Sequence, residues 1–101
     1  MTDSMAGSDG DDAIVRDFNI VNQRGLHARA SARFVETVRA FDAEIRVEKD
    51  GMSVGGTSIM GLMMLAASPG CVIRVSATGP QSGDAMQALE TLIGSRFGEE
   101  F

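Results

Sequence analysis

The residue with the clearest capacity for chemistry is His27, the only histidine in the 101-residue sequence. It lies where a polar loop changes into a helical pattern, within the stretch Gly-Leu-His-Ala-Arg-Ala. The first N–H groups of a helix have no partners inside it, and together they carry about half a positive charge. Because such an end disfavours a protonated imidazole, we expect a neutral ring near neutral pH, with a lone pair that can attack an electrophile.

The residues that follow this histidine are suited to holding an anion. We expect the backbone N–H groups of Ala28, Arg29 and Ala30 to face a negatively charged group attached to the ring. The planar guanidinium of Arg29 can pair with two phosphoryl oxygens, and Gly25 permits a close backbone approach in the preceding turn. The pattern therefore predicts a phosphoryl acceptor. An alternative stays open, because a histidine at a helix start is commonly a cap residue without chemistry, and an arginine there is commonly only solvated.

Other kinds of active site find little support in the sequence. The usual zinc sites need three or four Cys or His ligands, whereas the chain has one histidine and one cysteine, Cys71. Gly51-Met52-Ser53-Val54-Gly55 has the spacing Gly-x-Ser-x-Gly, but it lies on the predicted return strand of a hairpin and not on the strand-to-helix turn of a nucleophile elbow. A small enzyme that used the histidine as general acid or base would need a second catalytic group and a substrate pocket, and neither can be identified. We therefore expect no metal, no cofactor and no internal disulfide.

The charge of the chain narrows the choice of partners. Its formal net charge is −5 at pH 7, and it lacks the clustered Lys and Arg that bind nucleic acid or an anionic membrane. No apolar run approaches the roughly 20 residues of a membrane span, and the N-terminus does not resemble a signal peptide. We expect a cytoplasmic protein with neither nucleic-acid nor membrane partners.

The first residues differ from the rest of the chain. Residues 1–12 are mainly Asp, Gly, Ser and Met without periodicity, which predicts a disordered acidic tail. Residues 13–101 then form one domain. Within it, four segments alternate apolar and polar residues, which predicts strands with one buried face. These segments are residues 13–21, 44–49, 52–54 and 71–77, and the Asp50-Gly51 pair predicts a hairpin between the second and the third.

Three segments repeat apolar residues at steps of three and four, which predicts amphipathic helices. The first covers residues 28–41. The second begins after Ser58, a natural N-cap. The third begins at a cap formed by Ser82 or Asp84, and residues 98–100 fray its end. The apolar positions of the short second helix are Ile59, Leu62, Met63 and Ala66, of which we expect Leu62 and Met63 to belong to the core. The element order β-α-β-β-α-β-α predicts a two-layer α+β sandwich.

Two motifs extend this interpretation to a known family. Gly25-Leu26-His27-Ala28-Arg29 resembles the active-site signature of HPr, the histidine-containing phosphocarrier of the phosphoenolpyruvate-dependent phosphotransferase system. Thr57-Ser58-Ile59-Met60-Gly61-Leu62 resembles the second signature of the family. The element order and the Asp50-Gly51 hairpin agree, and the resemblance covers residues 14–97. Phe41-Asp42-Ala43-Glu44 and Ala77-Thr78-Gly79-Pro80-Gln81 are most similar to the nitrogen-related branch, which feeds a regulatory relay.

The resemblance implies a fold and a reaction. The fold would be an open-faced sandwich, with a four-stranded antiparallel sheet and three helices on one face. Enzyme I, charged by phosphoenolpyruvate, would phosphorylate Nδ1 of His27, Arg29 would hold the phosphoryl group, and an enzyme IIA would accept it. The chain would be a carrier and not an enzyme. It departs from the family at Ala30, where proline is usual, and this predicts a slightly looser first helical turn with the chemistry retained.

The second signature implies docking and regulation. Ile59, Met60 and Met63 match or adjoin positions that form an apolar docking patch in the family, and flexible methionines suit a carrier with several partners. Ser58 matches a serine that a dedicated HPr kinase/phosphorylase modifies in some bacteria, although its role as an N-cap alone explains its presence. The main alternative function is an HPr-like regulatory binding module, controlled by phosphorylation of Ser58. A monomer is expected for a carrier that presents one face to successive partners.

Overall fold

The computed structural model describes residues 13–99, and the predicted acidic tail lies outside them. Four strands and three helices follow one another in the expected β-α-β-β-α-β-α order, and a short 3-10 turn follows the last helix. The elements are β1 (Ile14–Asn19), α1 (Ala28–Arg39), β2 (Glu44–Lys49), β3 (Met52–Gly55), α2 (Ile59–Met64), β4 (Val72–Thr78), α3 (Ser82–Gly94) and the turn Arg96–Gly98. Their bounds differ by at most two residues from those predicted from periodicity.

The strands form one four-stranded antiparallel sheet in the order β1-β4-β2-β3. β4 lies between β1 and β2, with Phe18 opposite Ile73 and Val47 opposite Val75. The predicted hairpin joins β2 to β3, with Asp50 and Gly51 both at positive φ, as a two-residue hairpin loop favours. The three helices cover one face of the sheet, so the predicted open-faced α+β sandwich is confirmed.

The core lies between the sheet and the helices. Apolar side chains from every strand except β1 and β3 are fully buried there, and those of β1 and β3 pack against its edge. Each helix contributes at least one large, fully buried side chain: Phe34 of α1, Leu62 of α2 and Leu89 of α3. Within residues 13–99, none of these helices has the length and apolar character needed to cross a membrane.

The predicted inner face of α2 is partly wrong. Leu62 is buried as expected, but Met63 is 39% exposed and Ile59 is 40% exposed, and Ala66 is also exposed. The helix has only six residues, so it turns just one narrow stripe inward, and Leu65 after its end supplies the next buried side chain. Helical spacing alone predicted a wider buried face than so short a helix can provide.

The ends of the helices show one confirmation and two corrections. Ser58 caps α2, because its Oγ accepts a hydrogen bond of 2.9 Å from the N–H of Gly61. The cap of α3 is Gln81 rather than Ser82 or Asp84, and it makes no side-chain capping hydrogen bond. The predicted fraying is also wrong for Gly98 and Glu99, which a defined turn places against α1 and the loop before it. Residue 100 lies outside the described residues.

Candidate functional site

His27 is itself the N-cap of α1. Its backbone is extended, and its ring folds over the helix end so that Nδ1 accepts a hydrogen bond of 3.3 Å from the N–H of Arg29. The side chain is 19% exposed. Sequence analysis placed His27 beside the helix end, and the structure makes it the capping group. One of the three backbone donors predicted to hold an anion, that of Arg29, is therefore engaged by the ring itself.

The other ring nitrogen faces a carboxylate. Nε2 of His27 lies 2.5 Å from Oε2 of Glu99, whose side chain is 15% exposed. Because Nδ1 accepts from an N–H group, a neutral ring must carry its proton on Nε2, where it donates to Glu99. The network thus selects the tautomer in which Nδ1 holds the lone pair.

The loop before His27 is fixed by backbone contacts with the segment after α2. The N–H of Leu26 donates to the carbonyl of Ala67 over 2.9 Å. Gly25 has φ +67°, and a Cβ at this position would collide with the same carbonyl oxygen. The hydroxyl of Ser31 donates to the carbonyl of Leu26 from inside α1. These contacts hold the histidine between the start of α1 and the end of α2.

Asn22 joins this loop to the carboxylate. It is fully buried, and its Nδ2 donates to the carbonyl of Gly25 over 2.8 Å and to Oε1 of Glu99 over 3.2 Å. Sequence analysis treated Asn22 only as part of a polar loop. A buried asparagine needs partners for its amide, and here both partners of Nδ2 belong to the site, while Oδ1 has no partner among residues 13–99.

Glu99 is held by the turn Arg96–Gly98. The φ angles of Arg96, Phe97 and Gly98 are +60°, +55° and +77°, so the chain turns through the left-handed region. Phe97 is fully buried, and Arg33 of α1 donates to its carbonyl over 2.6 Å. Sequence analysis missed this turn. Its available signal was a large apolar residue followed by glycine and an acidic residue, just beyond the apolar stripe of α3.

The carboxyl group of Glu99 is ionised more readily than an ordinary glutamate. Burial of the group opposes ionisation, but hydrogen bonds from His27 and Asn22 and the positive charge of Arg24 outweigh it. The pKa of Glu99 is therefore lowered from its usual value of 4.5. The ionised carboxylate can therefore accept a hydrogen bond from the N–H group at Nε2.

Of the other predicted site residues, Arg29 bonds the ring through its backbone N–H, and its side chain does not take part in that bond. Arg29 is exposed, and its guanidinium has no hydrogen-bond partner within residues 13–99, so it is free to turn toward an anion. Ala30 is buried in the first turn of α1. Ser58 is exposed at the start of α2, where its hydroxyl accepts from the N–H of Gly61 and its own N–H donates to the carbonyl of Gly55 at the end of β3. Among residues 13–99, no cluster of three His, Cys, Asp or Glu side chains could hold a metal.

The chain is similar in sequence and fold to known proteins. The family model described as "PTS HPr component phosphorylation site" matches residues 14–95, so the match ends before the turn that carries Glu99. Phosphocarrier protein HPr of Neisseria meningitidis is 50% identical over 80 residues, covering 79% of this chain and 90% of that protein. Phosphocarrier protein HPr of Cupriavidus necator is 44% identical over 84 residues, covering 83% and 94%. The crystal structure of HPr-C-His from Thermoanaerobacter tengcongensis gives a TM-score of 0.83 at 45% identity, covering 87% and 99%.

Proposed function

This chain belongs to the HPr family, the phosphocarrier proteins of the phosphotransferase system, and from that premise we propose that His27 is its phosphoryl acceptor. The chain is a carrier and not a catalyst. The donor is phosphoenolpyruvate-charged enzyme I, and the acceptor from the carrier is an enzyme IIA. The observation that carries the proposal is the Nδ1 lone pair of His27, which is fixed at the N-terminus of α1 by the contact of Nε2 with Glu99.

The transfer requires no loss of a proton from Nδ1, because this nitrogen carries none. The lone pair of Nδ1 attacks phosphorus, the bond between phosphorus and the donor nitrogen of enzyme I breaks, and the electron pair returns to that nitrogen. His27 then carries a phosphoryl group on Nδ1 and a proton on Nε2. The N–H of Arg29, at 3.3 Å from Nδ1, moves from the ring to a phosphoryl oxygen. The exposed guanidinium of Arg29 pairs with the same group.

An apolar surface of α2 is suited to docking the partners. It consists of Ile59, Met60, Met63 and Met64, and we call it the α2 surface. Their exposures are 40%, 68%, 39% and 63%. Side chains of this size are seldom exposed together on a helix unless another surface covers them. The exposure of Met63, which contradicted its predicted place in the core, supports its predicted place in docking.

The relay belongs to the nitrogen-related, regulatory branch. The two segments that resemble this branch contact each other, because the N–H of Asp42 donates to Oε1 of Gln81 over 2.7 Å and the N–H of Gln81 donates to the carbonyl of Asp42 over 2.9 Å. The two segments that resemble this branch therefore form one local structure. The carrier acts in the cytoplasm as a monomer, which leaves the α2 surface open to successive partners.

Ser58 offers a second level of control. Its hydroxyl caps α2 at the edge of the α2 surface and is exposed to solvent. A phosphoryl group there would be tolerated by the helix end and would add about two negative charges beside the docking residues. An HPr kinase/phosphorylase would be the modifying partner. Regulation through this residue alone, without transfer through His27, is the alternative function.

The test is phosphorylation of the purified chain. The chain is incubated with phosphoenolpyruvate and enzyme I of the nitrogen-related branch, and its intact mass is recorded. We expect the gain of one phosphoryl group that is labile to acid. The matched control is His27→Asn, because asparagine is also a good N-cap and keeps the helix start. This variant must fold and gain no mass.

The possible results separate the two functions. Phosphorylation that persists in His27→Asn would assign the wrong residue. No phosphorylation of the wild-type chain, with enzyme I of either branch, would favour the regulatory binding module. Phosphorylation only by enzyme I of the sugar-transporting branch would leave the carrier function in place and overturn the assignment to the nitrogen-related branch.

A further inference from the structure

We propose that Glu99 is a positioning residue for the phosphoryl-accepting ring, and that its carboxylate stabilises the charge which the ring gains on phosphorylation. This inference rests on the proposed function and assigns a role to a residue beyond the segment matched by the family model. Oε2 of Glu99 lies 2.5 Å from Nε2 of His27. The geometry is that of a carboxylate which fixes the proton on one imidazole nitrogen so that the other nitrogen can act as nucleophile.

The carboxylate is fixed from two sides. Oε2 contacts His27, while Oε1 accepts a hydrogen bond of 3.2 Å from the buried Nδ2 of Asn22. The same Nδ2 donates to the carbonyl of Gly25, two residues before the histidine. Asn22 therefore fixes the position of the carboxylate relative to the loop that carries the ring. A surface glutamate that met the histidine by chance would have no such buried support.

The backbone before Glu99 is held in an unfavourable conformation. L-residues avoid the left-handed region, and it persists for Arg96 and Phe97 only because the surroundings fix it. The buried ring of Phe97 and the hydrogen bond from Arg33 to its carbonyl supply that restraint. At Gly98, a Cβ would collide with Nη1 of Arg33, so only glycine permits this clamp. The turn thus places Glu99 at a defined point beside α1.

The chemistry of the ring explains why a carboxylate is useful there. When Nδ1 binds phosphorus, its lone pair is lost and the ring, which keeps the proton on Nε2, becomes positively charged. A carboxylate already hydrogen-bonded to Nε2–H stabilises this charge in the transition state and in the phosphorylated form. It also favours departure of the phosphoryl group because it keeps Nε2 protonated: the ring then leaves as a neutral imidazole, whereas a ring that had lost this proton would have to leave as an anion. Glu99 is therefore expected to accelerate both acceptance and donation.

The other charges around the pair favour an ionised Glu99. Arg24 of the loop helps to lower the pKa of the carboxyl group, although the hydrogen bonds from His27 and Asn22 act more strongly. Arg29 and Arg33 of α1 and Arg96 of the turn are the other cations near the site, and Arg33 is committed to the carbonyl of Phe97. α2 and residues 65–70 carry no charged side chain. Glu99 is therefore the anionic group that offsets a positive ring.

The test compares charge variants at position 99 in the phosphorylation assay. In Glu99→Gln the hydrogen bond to Nε2–H can form, but the charge is lost, so we expect the initial rate to fall about tenfold. Glu99→Asp keeps the charge on a shorter side chain and should give a rate between the two. The matched control is Glu90→Gln, which removes the carboxylate of an exposed ion pair with Arg16 and should leave the rate unchanged.

A second readout separates electrostatics from a structural defect. The phosphorylated form of Glu99→Gln should survive longer near neutral pH than that of the wild type, whereas a disordered site would shorten its lifetime. Equal rates and lifetimes in the wild type and Glu99→Gln would overturn the inference while the carrier function stood.

A measurement without any phosphoryl donor keeps the inference testable if the proposed function fails. His27 is the only histidine, so its ring nitrogens give a single set of signals in a ¹⁵N-labelled sample. We expect the neutral ring to carry its proton on Nε2, with slow exchange of that proton in the wild type and rapid exchange in Glu99→Ala. A proton on Nδ1, or the same exchange in both proteins, would contradict the role of Glu99.

Discussion

The backbone of Gly25 lies directly against the carbonyl of Ala67, so the loop that carries the histidine is seated on the chain that follows α2. A Cβ at Gly25 would collide with the carbonyl oxygen of Ala67 and lie 3.0 Å from Cα of Ser68. The next residue, Leu26, donates its N–H to the same oxygen. The loop before His27 and the chain after α2 are therefore in direct backbone contact. A steric overlap at this point cannot be relieved by a change of side-chain rotamer.

Gly25→Ala is accordingly expected to destabilise the protein by about 3 kcal/mol, through both steric overlap and an unfavourable φ. The measurement is urea-induced unfolding. Gly70→Ala is the matched control, because Gly70 also has positive φ (+89°) but nothing lies within 4 Å of its Cβ position. It should cost only about 1 kcal/mol. Equal costs in the two variants would show that contact with Ala67 is unimportant.

How far the sequence predicts the site follows from the range of each interaction. His27 and Arg29 were identifiable because an N-cap and its helix are neighbours in sequence, and periodicity shows where the helix begins. Glu99 was not identifiable, because it reaches His27 across 72 positions of the chain. Its placement depends on a left-handed turn at Arg96 and Phe97, for which neither residue has any local preference.

The fold shows the same limit. Alternation was sufficient for the strands, the Asp50-Gly51 pair for the hairpin, and helical spacing for the two long helices, which bury five side chains in α1 and four in α3. For α2 they were insufficient, because a six-residue helix gives too few repeats to distinguish an inner stripe from an exposed one. Met63 lies on the exposed side for that reason. The cap of α3 was missed because the side chain of Gln81 makes no capping hydrogen bond. Its backbone carbonyl alone takes part, by accepting from the N–H of Ala85.

Ser58 has two roles that a pair of substitutions can separate. Ser58→Ala removes the hydrogen bond to the N–H of Gly61 without adding charge, and should cost about 1 kcal/mol of stability. Ser58→Asp keeps a capping oxygen and adds a negative charge, so its stability should equal that of the wild type within about 0.5 kcal/mol. Thermal unfolding checks both expectations.

The rate of phosphorylation by enzyme I should rank the same two variants in a different order from their stability. We expect Ser58→Asp to be phosphorylated about tenfold more slowly, because the charge lies beside the α2 surface. Ser58→Ala should react at the wild-type rate despite its lower stability. If Ser58→Asp reacted as fast as the wild type, modification of Ser58 would have no effect on transfer.

Met60 is the most exposed residue of the α2 surface, at 68%. Met60→Gln should therefore change stability by no more than about 0.5 kcal/mol, yet lower kcat/KM for phosphorylation by enzyme I about tenfold. Met52→Gln is the control, because Met52 is also exposed, at 44%, but lies beside the β-hairpin turn at the start of β3. A similar loss in both variants would assign the effect to general surface polarity rather than to docking.

The lowered pKa of Glu99 makes a specific prediction about acid stability. Burial opposes ionisation of this carboxyl group, but hydrogen bonds from His27 and Asn22 and nearby positive charge prevail, so the folded protein holds its proton less tightly than the unfolded chain. The resulting stabilisation is complete above the unfolded value, near 4.5. It is lost as the pH falls through the lower value of the folded state.

Glu99→Gln removes this contribution to stability at every pH. The difference in unfolding free energy between the wild type and Glu99→Gln should therefore be largest near neutral pH and shrink below about pH 4.5. A difference that stayed constant on acidification would mean that the carboxylate does not stabilise the fold through its charge.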